Sequence, residues 1–374
     1  MDLKANYGLK SVINARGTFT PLGVSRSSNL VAAVTGEALK HYFEIEQLQA
    51  KAAEIISSHC GAQHATITHC AAAAITLCVA ATVTGSDTDK ILALPDTGDL
   101  NNKVVIATGH CVNYGHPIEQ AIRLAGCVPV TVGDNSGCTA DQLNTALSQP
   151  GITALIYVES KLTSGTQPDL SEFIAAAHAK NIPVIIDAAA QDMRMQELVA
   201  AKGDLLIFSA QKYLAAPTAG IVVGRRDLVE AVHAQSKGIG RAMKADKASI
   251  LGVMAAIEQR RKTDMDEWAK VKKLEATQFA EQLENIEFIS SRLVKDPSGG
   301  NFWRVELILD EAGSNITATD LANQLQSGNP AIYCNSAQQR RGILGFEILD
   351  LDEIERQTII NRVKQIINQE SITR

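Results

Sequence analysis

Through the first two thirds of the chain, short unbroken apolar runs alternate with longer stretches whose apolar residues recur every three or four positions. The runs at 104–107, 128–132, 154–158, 184–186 and 205–208 are aliphatic or β-branched without polar alternation, which predicts strands buried on both faces. Residues 65–67 and 220–223 read the same way. Helical periodicity fills the intervals: 43–59 closed by Gly61, 70–84, 117–125, a helix opened by Thr139 with Gln142, and 169–180 opened by Asp169 with Glu172. The last two have the spacing of a capping box. This interleaving predicts an α/β fold, a mostly parallel sheet of the seven-stranded type with helices on both faces. In such sheets ligands bind beyond the C-terminal ends of the strands.

Past residue 245 the pattern changes. Long helical stretches at 249–261 and 264–283 lead to a Pro-Ser-Gly-Gly turn at 297–300. Strand-like runs follow at 302–307, near 332 and at 343–348, with helices at 318–326 and 353–367. This predicts a smaller C-terminal α+β domain. Residues 1–40 have little periodicity beyond a short strand at 11–14. The expected organisation is an N-terminal arm at 1–45, a large domain at 46–262 and a small domain at 263–374.

Composition narrows the class. The 374 residues include 35 basic and 41 acidic ones, a net charge of −6, and no basic block interrupts the chain. That argues against a nucleic-acid partner. The seven cysteines form no C-x-x-C pair, so small buried thiols are expected rather than a zinc site or a disulfide framework. The apolar stretch 67–83 is Ala-rich and too short for a membrane span, and the first residues lack a signal-peptide pattern. A soluble cytoplasmic protein without metal or membrane partner is expected.

The candidate chemistry sits at strand ends. The run 205–208 stops at Ser209, and Lys212 follows beside small residues, a placement suited to Schiff-base chemistry. Asp187 ends the preceding strand, 25 residues earlier. A carboxylate there pairs with a cationic heterocyclic nitrogen, and a lysine amine forms an imine with a carbonyl. Pyridoxal phosphate needs both. The start of the Ala-rich helix, at His69, Cys70 and Ala71, offers backbone N–H groups to a phosphate, or packs closely for its own sake. Ser209 adds a hydroxyl. In the loop 108–116, His110 is the stronger candidate to lie over a cofactor ring and act near neutral pH, and His116 the weaker. Arg16, Arg241 with Lys244, and Arg304 are candidates for a substrate's carboxylate or phosphate.

These residues resemble fold-type I pyridoxal-phosphate enzymes, in the group of selenocysteine synthase and D-glucosaminate-6-phosphate ammonia-lyase. The matching pieces are Val12 to Thr18, the helix start at 68–74, Asp187 to Gln191, Ser209 to Lys212 and Gly240 to Lys244. The resemblance implies an aspartate-aminotransferase-like large domain. Lys212 is then the Schiff-base lysine, Asp187 the partner of the ring nitrogen, His110 the stacking residue and Gln191 a further cofactor neighbour. It also implies a homodimer, or a higher homo-oligomer, with shared active sites. The expected reaction is α,β-elimination, of the ammonia-lyase or dehydratase type, on a small β-hydroxy amino acid or amino-sugar acid. Lys212 is the expected base at the α-carbon. Transaminase, aldolase and racemase chemistry use the same residues, and a non-catalytic cofactor-binding protein remains a different class. A nicotinamide enzyme is disfavoured, because no G-x-G-x-x-G follows the first strand.

Overall fold

The computed structural model describes residues 3–372, with side-chain surroundings to residue 369. The chain divides into two compact units, residues 27–262 and residues 1–26 with 263–374.

The larger unit is built on seven strands: β2 (His64–Thr68), β3 (Lys103–Ala107), β4 (Val128–Val132), β5 (Ile152–Val158), β6 (Val184–Asp187), β7 (Leu205–Ser209) and β8 (Gly220–Gly224). They lie in the order β2-β8-β7-β6-β5-β3-β4. All run parallel except β8, which is antiparallel to both β2 and β7. The unalternated apolar runs follow from burial on both faces. Val105, Leu155, Ile186, Leu206 and Phe208 pack into one core with the helices Ile45–Cys60, Leu170–His178 and Lys247–Lys262. Val104, Ile106, Ile156, Ile185 and Ile207 pack on the other side with Ala71–Thr84, Ile118–Leu124 and Arg226–Ala234. The Ala-rich segment is thus a core helix, capped by Cys70 and buried along most of its length.

The helix signals read from the sequence correspond to real caps. Thr139 and Asp169 both form complete capping boxes, and Gly61 closes its helix at φ 78°. The differences are in less periodic segments. Residues 29–38 form a helix capped by Ser28, although mixed Ala, Thr and Gly positions blur its apolar stripe. Two six-residue helices, Thr88–Ala93 and Met195–Ala200, are too short to show periodicity.

The smaller unit has a three-stranded antiparallel sheet in which β10 (Trp303–Leu309) lies between β9 (Ile289–Lys295) and β12 (Ile343–Phe346). β9 escapes the sequence pattern because polar residues occupy most of its positions. β1 (Val12–Asn14) pairs in parallel with β11 (Ala331–Tyr333). Ile13 and Ala15 enter the core of this unit beside Phe279, Leu321 and Phe346. The first 26 residues therefore belong with the C-terminal residues, whereas 27–45 belong with the large unit.

One polar knot ties the large unit together away from the site. Asp204 accepts from Val184 N–H and from His178 Nε2 at 2.8 Å each, and from Arg225 Nη1 at 2.9 Å. Removing a buried carboxylate that satisfies a backbone N–H and a guanidinium costs about 2–4 kcal/mol. Asp204→Ala is expected to lower the urea midpoint accordingly. A midpoint equal to wild type would show that this knot carries no stability.

Candidate active site

Because β2, β3, β5, β6 and β7 run parallel, their C-terminal ends share one edge of the sheet, and β8 begins there. Thr68 and Ser209 pair with Gly220 from its two sides, so the ends of β2, β8 and β7 form one row. Asp187 lies farther along, between Val158 of β5 and Ile207 of β7.

The chain turns at Ser209 to present Lys212. Ala210 N–H donates to Ala219 O and Ala216 N–H to Ala210 O, closing a tight connection. Lys212 N–H donates to Ser209 O, and Arg260 Nη2 holds Tyr213 O at 2.7 Å. Burial lowers the Lys212 pKa, with the charges of Asp187 and Asp192 opposing it. Asp187 is buried, and its Oδ1 accepts from Ala189 N–H at 3.1 Å. Burial raises its pKa, with Lys212 and the Ala189 N–H pulling the other way. The acid and amine singled out from strand ends therefore sense each other directly.

The helix Ala71–Thr84 begins beside this row. Cys70 caps it through Sγ, which accepts from Ala73 N–H, and Thr68 Oγ1 donates to Cys70 O at 3.1 Å. His69 is exposed, and its backbone N–H is spent on Met243 O at 2.8 Å. It is therefore not a free donor for a phosphate, contrary to the sequence expectation. Helix geometry leaves the N–H groups of Ala71 and Ala72 for an anion. Gly220 makes the approach possible, because a Cβ there would lie 2.5 Å from both Cys70 O and Thr68 Oγ1. The same hydrogen bond from His69, with a bridge between Thr68 and Lys244, brings the segment 238–244 to the helix start. Arg241 and Lys244 are exposed there.

His110 is enclosed by two aromatic rings. Its ring is buried, stacks on Phe173 at 5.4 Å and meets Tyr157 edge-on at 4.6 Å. Nδ1 accepts from Val158 N–H at 3.3 Å, which leaves the proton on Nε2. Burial pushes its pKa down to about 4, so it is neutral at pH 7 and does not titrate near neutrality. His116 is partly exposed, with Nδ1 3.0 Å from Pro117 O. Tyr114, in the same loop, was not singled out by the sequence. Its hydroxyl is buried with no hydrogen-bond partner among the described residues. Burial raises its pKa, and the charges of Asp187, Cys70 and Glu119 add to the effect. A phenol oriented among these groups and lacking a partner fits a site that receives a polar ring. Gln191 is buried and accepts from Arg194 Nη1 at 3.3 Å. Asp192 and Arg260 also had no motif to reveal them.

Arg16 and Arg304 belong to the other unit. Arg16 is exposed and lies 3.8 Å over the Phe19 ring. Arg304 is committed inside its own unit, with Nη2 2.7 Å from Asp296 and 2.8 Å from Glu347. Both acids are buried. Within its unit this ion-pair group balances its charge.

Two outcomes test this geometry. Gly220→Ala must displace the Cys70 carbonyl, and is expected to weaken binding of pyridoxal phosphate about tenfold, or ~1.4 kcal/mol. Affinity equal to wild type in a spectrophotometric titration would remove Gly220 from the cradle. His110, with its folded pKa held below the ordinary 6.5, contributes stability above that value that is lost as pH falls toward 4. The loss, of order 3 kcal/mol at most, is expected to be smaller in His110→Phe. Parallel Tm–pH curves for the two proteins would contradict it.

Comparison with known proteins gives the family. The aminotransferase class-V family model matches residues 104–302. The chain is 33% identical to a D-glucosaminate-6-phosphate ammonia lyase of Salmonella typhimurium, over 98% of each chain. It is 32% identical to a 5'-C-glycyluridine monooxygenase-decarboxylase of a Streptomyces species, over 97% of this chain and 91% of the relative. A solved D-glucosaminate-6-phosphate ammonia-lyase superposes with a TM-score of 0.92 at 32% identity, covering 99% of each chain. A serine palmitoyltransferase of Sphingomonas wittichii shares the fold at 11% identity and a TM-score of 0.60, covering 96% of this chain and 88% of that one. With a lysine and an acid at the strand ends and a helix start beside them, the chain belongs to the aminotransferase class-V family and is a pyridoxal-phosphate enzyme of fold type I.

Proposed function

We propose that this enzyme is a carbon–nitrogen lyase that eliminates from a small β-hydroxy amino acid of the amino-sugar-acid type. The observation that carries the reading is the pair of half-buried Lys212 and buried Asp187, set in a chain similar over nearly its whole length to an ammonia lyase. Pyridoxal phosphate, when bound, supplies an electron sink for the pair of electrons left when a bond to the α-carbon breaks. The protein's residues do the rest. Lys212 Nζ would hold the cofactor and, once freed, would take the substrate's α-proton. Burial suits it to that work, because a desolvated amine holds a proton less tightly. Asp187 keeps the ring nitrogen protonated. Its burial makes that pairing strong, since the opposite charge meets little competing solvent. Ala71 and Ala72 N–H and Ser209 hold the phosphate. The unpartnered Tyr114 hydroxyl would be available to the cofactor. Arg241 and Lys244 are the anion anchors for substrate, since both are exposed on the segment tied to the helix start.

A second reading is favoured by the similarity to the monooxygenase-decarboxylase, namely oxidative decarboxylation of an amino acid at the same lysine. We also take the working form to be a cytoplasmic homodimer. Leu39, Tyr42, Phe43 and Ile45 form an exposed apolar stretch on the large unit, which suits contact with a second copy. Among the described residues no helix is long and apolar enough to cross a membrane.

The purified protein is expected to absorb near ~420 nm, the band of a protonated lysine–cofactor Schiff base. Lys212→Ala should lose that band, and its absence from reconstituted wild type would remove the lysine assignment. With β-hydroxy amino acids and amino-sugar acids, elimination releases ammonia and a keto acid in equal amounts. Oxygen uptake with carbon dioxide release would establish the second reading instead. Arg241→Ala is expected to raise KM about tenfold with the band intact. An unchanged KM would exclude Arg241 as an anchor.

A further inference from the structure

β2 is an edge strand, paired with β8 on one side only. In an antiparallel pair, alternate residues turn both N–H and C=O toward the same side. Ile67 donates its N–H to Gln49 Oε1 at 3.2 Å and accepts from Gln49 Nε2 at 2.9 Å, so it faces the free edge. By the same alternation residues 63, 65 and 69 face it too. Gln49 occupies the position at Ile67, Met243 O takes the His69 N–H at 2.8 Å, and Arg226 Nη2 donates to Gln63 O at 2.9 Å. Ala65 differs. It is 2% exposed, and its N–H and C=O have no partner among the described residues. Buried main-chain groups rarely stay unpaired.

Ala65 lines a cavity of about 190 Å³. Residues of the helices Ile45–Cys60 and Arg226–Ala234 form its walls, and a 2.8 Å bond between His233 Nε2 and Glu46 joins the two helices there. Ala50 and Ala53 keep one wall small and apolar, while Glu46 and Glu230 bring negative charge. These features limit what can enter. An N–H and a C=O on one residue match an amide edge, which offers an acceptor beside a donor, as the Gln49 carboxamide does at Ile67. An extended peptide does not fit, because Arg226 and Gln49 close the edge on both sides of Ala65. A carboxylate lacks the donor and meets the two glutamates. We propose that this cavity binds a small planar molecule through an amide edge, of a primary carboxamide or a cyclic amide, paired with the main chain of Ala65. The site is separate from the row of strand ends, since Ala65 lies three residues before Thr68, about 10 Å along β2.

The test uses the whole protein with saturating pyridoxal phosphate, isotope-labelled at the alanine nitrogens so that the Ala65 amide is read by NMR. Benzamide is the carboxamide probe and 2-pyridone the cyclic one. Benzoate and N,N-dimethylbenzamide, which cannot donate, are the controls. The Ala65 resonance is expected to move with either amide, and its hydrogen exchange to slow about tenfold, while the controls leave both unchanged. A response to one amide alone supports the proposal and identifies the source of the amide edge. No response to either amide, or an equal response to a control, overturns it. Ala50→Trp fills the cavity from an exposed helix position and is expected to weaken binding of the responding amide about tenfold. Unchanged affinity in that variant overturns the proposal. If Ala50→Trp does not fold, Ala50→Leu is read in the same way.

Discussion

A buried acid and a half-buried amine at one edge of the same sheet are each unfavourable alone, and the rest of the site follows from how they compensate each other. Burial raises the proton affinity of Asp187 and lowers that of Lys212, and each charge opposes the effect on its neighbour. Such a pair survives only on a rigid support, because attraction between buried charges offsets their desolvation only at good geometry. The parallel strands provide that support. Their backbone hydrogen bonds set Asp187 in register between β5 and β7, and the closed connection after Ser209 limits where Lys212 can go.

The fold was largely legible because burial on both faces leaves a direct mark on sequence. A central strand such as Val184–Asp187 has no polar side, so its run is uninterrupted until the functional residue. The capping boxes at Thr139 and Asp169 were legible for an equally local reason. β9 was not, since it has one solvated face and an irregular pattern. The grouping of the first 26 residues with the C-terminal ones rests on parallel pairing of β1 with β11, positions some 320 residues apart. No local pattern encodes such a pairing.

The site divides in the same way. Lys212 and Asp187 could be found because strand ends reveal them. His110 was found at a strand end too, yet proximity along the chain did not say which way its ring turns, and it turns toward Phe173. Arg304 was a candidate by its charge alone, and the sequence did not show that Asp296 and Glu347 lie against it. Tyr114 owes its interest to a missing hydrogen-bond partner among the described residues, a property that exists only in three dimensions.

The segment 238–244 meets the helix start through main-chain bonds, His69 N–H to Met243 O and the bridge between Thr68 and Lys244. An attachment made by backbone is indifferent to the side chains it carries. Residues at 241 and 244 can be exchanged without loosening that attachment. The turn keeps its place while the side chains it presents are free to change.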